Sequence, residues 1–250
     1  MFARVLRSRI SVTVVAAAAL MLLAVAPVQA ETLKVLMFGN SLSSGVKRSL
    51  TKLFKNSGVR VKVKAKTRNG AELEDHLRSR ATAKIIAAKN WDYIVLQEQS
   101  AGMLNYRYEF VRQFDDLIRP TGATPLLFMT WRDRGSDLSL YDRLLTDRSG
   151  GFLPIAEEIG APVAPIGWAF RNGVIDDPNI DLWANDGHHS STAGRYLSAA
   201  VLYSVIAQRS PEGLSGERGL GDVECGYLEW LAWETVVGEW NRFQLELAVR

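Results

Sequence analysis

The sequence predicts an α/β protein built as a three-layer sandwich with a central parallel sheet. Short apolar runs of strand length alternate with stretches in which apolar residues recur at three- and four-residue offsets. This β-α repetition is typical of a parallel sheet whose two faces are both covered by helices. No internal repeat, low-complexity tract or long linker interrupts the pattern, so we expect a single domain.

The elements follow from these periodicities in chain order. The apolar runs predict strands at residues 33–38, 59–66, 93–97, 125–131 and 162–166. The helical spacings predict helices at residues 46–55, 72–88, 108–118, 140–159 and 192–208, with another in the tail. In sheets of this class, functional groups collect where the strands end at their carboxyl edge.

The N-terminus reads as an export signal. Three arginines in the first nine residues precede an apolar stretch at 10–25, and small residues follow as far as Ala30. A permanent membrane anchor is the alternative, but the 16 apolar residues are fewer than the roughly 20 that a span needs. We predict a signal peptide over residues 1–30, a domain over residues 31–250, and a periplasmic or secreted protein without a stable membrane anchor.

Charge and cysteine content narrow the functional classes. The chain has 30 Lys+Arg against 27 Asp+Glu, and the signal carries three arginines and no acid, so the mature chain is balanced. The excess of positive charge therefore belongs to the export signal, and we expect no nucleic-acid partner. Cys225 is the only cysteine, which excludes an intramolecular disulfide, and we expect it to be a small, partly buried residue.

Two surface features have a structural and a functional interpretation. Arg60, Lys62, Lys64 and Lys66 alternate with apolar residues, which predicts an edge strand with one solvated face. A ridge that binds polyanions is the alternative. The tail carries tryptophans at helical spacing, and we expect them to pack a final helix onto the domain; an aromatic face for sugar rings is the alternative.

Two short segments carry the chemistry. Gly39-Asn40-Ser41 follows the first predicted strand, where a hydroxyl can be exposed. Asp186-Gly187-His188-His189 supplies a carboxylate and an imidazole three residues apart, just before a predicted helix. A serine needs a base within hydrogen-bond reach and a group that orients that base, and the two segments contain all three.

Together these segments resemble the SGNH (GDSL-like) hydrolase superfamily, which implies a flavodoxin-like fold over the whole mature chain. The resemblance implies that Ser41 is the nucleophile, His189 the general base and Asp186 the residue that orients it. The same pattern selects the second histidine, so His188 is expected to be a supporting or surface residue. We assign no role to His76, which we expect to be solvated or internally hydrogen-bonded.

The tetrahedral intermediate needs hydrogen-bond donors for its oxyanion. The backbone N–H of Ser41 is one candidate, and Gly70, after the second predicted strand, is another, although a plain turn would also require that glycine. The superfamily usually adds an asparagine after the third strand, and this chain departs from that pattern. Its amide candidates are Gln97, which we prefer, or Gln99. The departure is similar to a less characterised bacterial branch of the superfamily.

No metal or cofactor is expected. The histidines and the cysteine have no ligand spacing, and no Gly-rich phosphate loop is present. Trp131 and Arg132, after the fourth predicted strand, are candidates for substrate binding. Two interpretations of Arg132 and Arg134 stay open. One of the two arginines could pair with a carboxylate on an acidic sugar, or simply with Asp133 and Asp137 at the surface.

The sequence therefore predicts an exported serine esterase. Its location and its resemblance to the superfamily point to small acyl groups, above all acetyl, on a small-molecule or carbohydrate ester or a cell-envelope polymer. Three alternatives stay open: an acyltransferase on the same triad, a lipid esterase, and a non-catalytic polysaccharide-binding protein on a hydrolase scaffold.

Overall fold

A five-stranded parallel sheet forms the centre of this computed structural model, which describes residues 31–88, 90–99, 107–214, 216–238 and 242–243. The strands are β1 (Leu33–Gly39), β2 (Val61–Thr67), β3 (Tyr93–Gln97), β4 (Thr124–Phe128) and β5 (Val163–Ala164). They lie in the order β2-β1-β3-β4-β5. β1, β3 and β4 are almost continuously buried, as expected for strands covered on both faces. The predicted α/β class is confirmed.

Two layers of helices cover the sheet. In the described chain these helices are α1 (Val46–Asn56), α2 (Leu73–Leu77), α3 (Arg80–Ala87), α4 (Tyr108–Ile118), α5 (Ser139–Thr146), α6 (Phe152–Ile159), α7 (Ile166–Asp176), α8 (Thr192–Ala207) and α9 (Asp222–Gly238). α8 packs against α1, α7 and α9 in one layer, while α4 packs against α2, α3 and α6 in the other. α8 is buried on nearly every side, which explains why its sequence is apolar all round.

The structure divides two predicted helices and contains one helix that was not predicted. The predicted helix at 72–88 is divided into α2 and α3, because Ser79 adopts an extended conformation and its side chain accepts a hydrogen bond from the N–H of Ala81. The predicted helix at 140–159 is likewise divided into α5 and α6. α7 was not predicted, because two glycines within it, Gly167 and Gly173, weaken its helical signal.

The strand order places the predicted site at one edge of the sheet. The chain passes from β1 to β2 on one side and then crosses to β3 on the other, so the connections diverge at β1. Such a divergence opens a crevice at the carboxyl ends of the strands. Ser41 comes just after β1, and the segments that follow β2, β3 and β4 begin at the same carboxyl end of the sheet.

β2 lies at the edge of the sheet, so the edge-strand interpretation of its alternating lysines is confirmed. Cys225 is fully buried within α9. The aromatic residues of the tail differ in burial. Phe243 is buried against Trp168, as packing of the tail predicts, whereas Trp230 on α9 is 40% exposed.

The predicted signal peptide, residues 1–30, lies outside the described residues and stays a prediction. Among the residues that are described, no helix combines the length and apolar character needed to cross a bilayer.

Candidate active site

The nucleophile candidate lies in a tight turn at the end of β1. Ser41 begins a 3₁₀ turn, Ser41–Ser43, and Asn40 caps it by accepting a hydrogen bond from the N–H of Leu42 at 3.0 Å. Gly39 is required just before, because a Cβ there would lie 2.4 Å from Oε1 of Gln97. The turn presents Ser41 half-buried at the sheet edge while its neighbours Asn40 and Leu42 are buried.

Gln97 holds this turn in place. Its side-chain oxygen accepts from the backbone N–H of Asn40 at 2.8 Å, and its amide nitrogen donates to Oδ1 of Asn40 at 3.0 Å and to the carbonyl of Glu98. Gln97 is 0% exposed. Because both amide hydrogens are directed at protein acceptors, the predicted role of Gln97 as an oxyanion donor is corrected: this residue positions the nucleophile turn.

Asn40 completes the same network. Its side-chain nitrogen donates to the carbonyl of Ala71 at 3.0 Å, which ties the turn after β1 to the loop after β2. An aspartate at this position would lack that donor, because an ionised carboxylate only accepts hydrogen bonds. The Gly-Asn-Ser sequence and the glutamine of β3 therefore form one matched pair, which the separate motifs did not reveal.

The loop before α8 brings the acid and the base to Ser41. Nε2 of His189 lies 2.9 Å from Oγ of Ser41, and Nδ1 of His189 lies 2.7 Å from Oδ2 of Asp186. A carboxylate opposite Nδ1 requires the proton to be on that nitrogen, which leaves Nε2 free to accept the proton of Ser41. The three residues predicted to act together are thus in hydrogen-bond contact.

Asp186 is held in its ionised form. Its Oδ1 accepts from the backbone N–H groups of His188 and His189 at 3.0 and 2.9 Å, and its Oδ2 faces the ring of His189. The bond from the His188 N–H, followed by the two bonds from His189, holds the pKa of Asp186 well below its usual value of 3.8. Asp186 is therefore a carboxylate throughout the pH range in which an imidazole can act as a base.

The segment after β4 clamps the loop that carries Asp186 and His189. Nε1 of Trp131 donates to the carbonyl of His188 at 2.9 Å, and the N–H of Arg134 donates to the carbonyl of Gly187 at 2.8 Å. In return, Nε1 of Trp183 donates to the carbonyl of Arg132 at 2.9 Å. Reciprocal bonds of this kind restrict the loop, and so they restrict the position of the imidazole.

Trp131 is a positioning residue rather than part of a substrate pocket. It is 1% exposed, and its ring stacks on Phe170 with the centroids 4.4 Å apart. Its predicted role in substrate binding is therefore corrected. Arg134 forms an ion pair with Asp181 and donates to the carbonyl of Trp183. It therefore pairs at the surface, as one interpretation predicted, but with Asp181 and not with the predicted Asp133 or Asp137.

A second His–Asp pair lies beside the first. Nδ1 of His188 is 2.7 Å from Oδ1 of Asp133, and the ring of His188 meets that of His189 edge-on at 5.0 Å. Sequence reasoning placed Asp133 near arginines and missed this pair. The available signal was the position of Asp133 at the carboxyl end of β4, the edge at which the loop with His188 also had to lie.

Gly70 and Gln99 lie together at the edge of the site. Gly70 adopts a left-handed φ of 68°, and its N–H donates no hydrogen bond to the described residues. The amide of Gln99 donates to the carbonyl of Gly70 at 3.1 Å and, unlike that of Gln97, it is only partly buried. Of the two glutamines predicted from the sequence, Gln99 is the one whose amide is near a backbone donor candidate.

The Glu98 side chain connects the loop after β2 to the end of β3. Its Oε2 accepts from the N–H of Leu73 at 3.1 Å and its Oε1 from the N–H of Gln99 at 2.7 Å. The side chain is 0% exposed, and this burial raises its pKa. Glu98 thereby links the loop of Gly70 to the end of β3, a role that strand alternation alone did not indicate.

Arg132 lines a separate cavity of about 320 Å³ together with Leu140, Arg143 and Leu144. Its Nε is buried and has no hydrogen-bond partner among the described residues. This location keeps Arg132 as a candidate for contact with substrate. His76, to which no role was assigned, is hydrogen-bonded through Nε2 to the carbonyl of Gly39 at 2.9 Å.

Among the described residues, no group of three or more His, Cys, Asp or Glu side chains is arranged to hold a metal ion. The side chains brought together here are a hydroxyl, an imidazole that can accept its proton, and a carboxylate that fixes the imidazole.

Comparison with solved structures identifies proteins of the same fold. A DUF4886 family protein from Bacteroides uniformis superposes with a TM-score of 0.69 at 20% identity, covering 83% of this chain and 95% of that one. Axe2, an acetylxylan esterase from Geobacillus stearothermophilus, gives 0.55 at 17%, covering 68% and 92%. TesA gives 0.53 at 14%, covering 68% and 96%.

No protein-family model matches the chain, and no curated protein sequence matches it. At the identities found, the structural likeness shows the fold. This likeness confirms the predicted α/β fold, in which helices flank a central parallel sheet.

Proposed function

We propose that this chain is an exported serine esterase that hydrolyses small acyl esters, with acetyl as the acyl group, on carbohydrate or cell-envelope substrates. One observation carries the proposal: the continuous hydrogen-bond chain from Oγ of Ser41 through the two ring nitrogens of His189 to Asp186, with lengths of 2.9 and 2.7 Å. Three side chains from segments about 150 residues apart meet in the order that activates a hydroxyl.

Acylation begins at Ser41. Its Oγ attacks the ester carbonyl carbon while its proton passes to Nε2 of His189, and Asp186 stabilises the imidazolium that forms. The carbonyl oxygen becomes an oxyanion, which accepts hydrogen bonds from the N–H of Ser41, the N–H of Gly70 and the amide of Gln99. The intermediate collapses when the bond to the alcohol oxygen breaks and His189 returns the proton to that oxygen.

Deacylation repeats the sequence with water. A water molecule gives its proton to Nε2 of His189 and attacks the acyl carbon on Ser41. The second tetrahedral intermediate uses the same donors, and its collapse releases the carboxylic acid and restores the Ser41 hydroxyl. A sugar hydroxyl in place of the water would give acyl transfer, so the acceptor alone separates these two activities.

The substrate class is supported by location and by the surroundings of the site. An export signal would bring the enzyme to envelope or extracellular carbohydrate. The residues beside His189 and Asp186 include His188 and Asp133, which are polar or charged, and this suits a sugar better than an acyl chain. Axe2, which shares the fold, is described as an acetylxylan esterase.

The test is a series of chromogenic esters from acetyl to octanoyl, hydrolysed by the purified domain of residues 31–250. We expect acetyl-selective turnover, its loss in Ser41→Ala, and its retention in Ser139→Ala, an exposed serine at the start of α5. A fluorophosphonate should label wild type and Ser139→Ala but not Ser41→Ala, as read by mass spectrometry.

Other outcomes would change the proposal in defined ways. A preference for longer chains would assign the enzyme to lipid esters, and acylated sugar formed in the presence of excess sugar would assign it to acyl transfer. No Ser41-dependent turnover or labelling would refute the esterase and favour a polysaccharide-binding protein.

A further inference from the structure

A cavity of about 310 Å³ adjoins both catalytic segments. Ser44 lines it, and the N–H of Ser44 donates to the carbonyl of Ser41 at 3.1 Å, so the cavity begins one 3₁₀ turn from the nucleophile. Thr192, three residues after His189, lines it from the start of α8. The cavity therefore lies beside the two segments that carry Ser41 and His189.

Three arginines give this cavity its charge. Arg48 on α1, Arg195 on α8 and Arg218 in the segment before α9 all line it, and Glu217 is the one acid among its lining residues. Arg195 is held by the carbonyl of Ser190 at 3.4 Å and by the hydroxyl of Thr192 at 3.1 Å. The lining therefore carries an excess of positive charge, part of it on a guanidinium that is already oriented.

None of these three arginines forms an ion pair with a described residue. Six of the other described arginines have a carboxylate partner at 2.9 Å or less, namely Arg68, Arg78, Arg107, Arg112, Arg119 and Arg134, whereas others, such as Arg80 and Arg148, form no ion pair with a described residue. Glu217 is near enough to line the same cavity, yet its Oε2 is buried without a hydrogen-bond partner in the described chain. The three guanidinium groups can therefore pair with an anion that enters the cavity.

Two of the three arginines also lie near the N-terminus of a helix, where positive charge is unfavourable. Arg48 is in the first turn of α1 and Arg195 in the first turn of α8, and neither turn contains an acid. The helix dipole makes a cation at such a position unfavourable. An anion bound in the cavity would reverse this cost, because it would interact favourably with the guanidinium groups and with both helix ends.

We infer that this cavity binds an anionic group, a carboxylate or a phosphate, on the alcohol half of the ester. The substrate class is then an acetylated acidic carbohydrate. The inference rests on the proposed esterase function and deepens it, by naming the charge of the substrate. Guanidinium groups suit both anions because their paired N–H donors match two oxygens at once.

The experiment compares three acetylated methyl glycosides: glucoside, glucuronoside and 6-phosphoglucoside. For wild type we expect kcat/KM on at least one anionic ester to exceed that on the neutral ester by about tenfold, equivalent to roughly 1.4 kcal/mol. The preference should shrink as ionic strength rises, because exposed charges are screened. Which anionic ester is preferred identifies the carboxylate or the phosphate as the group recognised.

Two variants with the same charge change localise the effect. In Arg48→Gln/Arg218→Gln the anionic preference should fall to about twofold or less, since two of the three cations are gone. In Arg80→Gln/Lys84→Gln, which removes two exposed cations on α3, the wild-type preference should remain. Thermal melts check that both double variants fold.

Binding supplies a readout that does not depend on turnover. Calorimetric titration of Ser41→Ala with the acetylated glucuronoside and the 6-phosphoglucoside should show affinity that is lost when Arg48→Gln/Arg218→Gln is added. Ser41-dependent hydrolysis with equal kcat/KM on all three esters would overturn the anionic subsite and leave the esterase intact. Absence of hydrolysis would refute the esterase, while the titration would still decide whether the cavity binds anions.

Discussion

Replacing Gln97 with methionine tests whether the β3 glutamine positions the nucleophile or touches the substrate. Methionine preserves the length and approximate volume of the side chain but removes its amide. In the structure this amide has three bonds, to the N–H and Oδ1 of Asn40 and to the carbonyl of Glu98, and the side chain is 0% exposed. A positioning role and an oxyanion role therefore predict different losses.

The positioning role costs stability first. Methionine leaves the buried N–H of Asn40 without its acceptor, which costs about 1–3 kcal/mol, and it removes one donor from each of two carbonyl oxygens. Oδ1 of Asn40 keeps its bond from Leu42, so the total loss in the free energy of unfolding should be about 2–4 kcal/mol. Displacement of Ser41 should then lower kcat by about 10- to 100-fold.

Gln99→Met is the matched comparison. Gln99 is partly buried and its amide donates one hydrogen bond within the described chain, to the carbonyl of Gly70, so the loss of that amide should cost only about 0.5–1.5 kcal/mol of stability. If Gln99 donates a hydrogen bond to the oxyanion, however, Gln99→Met should lower kcat by about 100-fold or more.

Urea denaturation and steady-state hydrolysis of an acetyl ester measure both quantities for each variant. A Gln97→Met variant whose free energy of unfolding stays within about 0.5 kcal/mol of wild type while kcat falls 100-fold or more would contradict the positioning role and identify Gln97 as an oxyanion donor.

Four further outcomes are expected. Asp186→Asn should lower kcat by about 10⁴-fold, because an amide opposite Nδ1 favours the tautomer of His189 in which Nε2 cannot accept a proton; an unchanged kcat would contradict the triad. The same substitution should also lower the free energy of unfolding at neutral pH. Because the pKa of Asp186 is lower in the folded state than its ordinary value of 3.8, the carboxylate stabilises the fold above pH 3.8 and loses that contribution as pH falls. The difference in stability between the variant and wild type should therefore shrink below pH 3.8. Trp131→Phe should keep the stacking but lose the bond to the carbonyl of His188, costing about 1 kcal/mol of stability in a urea melt and severalfold in kcat. Expression of the full chain in an exporting host should yield a protein whose N-terminal residue is Glu31 by mass spectrometry; an intact N-terminus would contradict the signal peptide.

The periodicity of apolar residues was sufficient to predict the α/β class and the parallel sheet, because strand and helix spacings are local properties of the chain. It failed where tertiary packing outweighs local signal. Ser79 ends one helical turn and caps the next inside a stretch of helical spacing, and α7 forms despite two glycines because it is covered by the core.

The sequence predicted Ser41, His189 and Asp186 as nucleophile, base and acid because their two motifs resemble those of a hydrolase superfamily, and the structure brings the three side chains into hydrogen-bond contact. The surroundings of these residues could be read only from the packed structure. A glutamine amide can serve an oxyanion or an asparagine, and a tryptophan can line a pocket or hold a carbonyl; Gln97 and Trp131 took the second role in each case. Side-chain chemistry is readable from the sequence, but the partner of a hydrogen bond depends on which distant segments pack together.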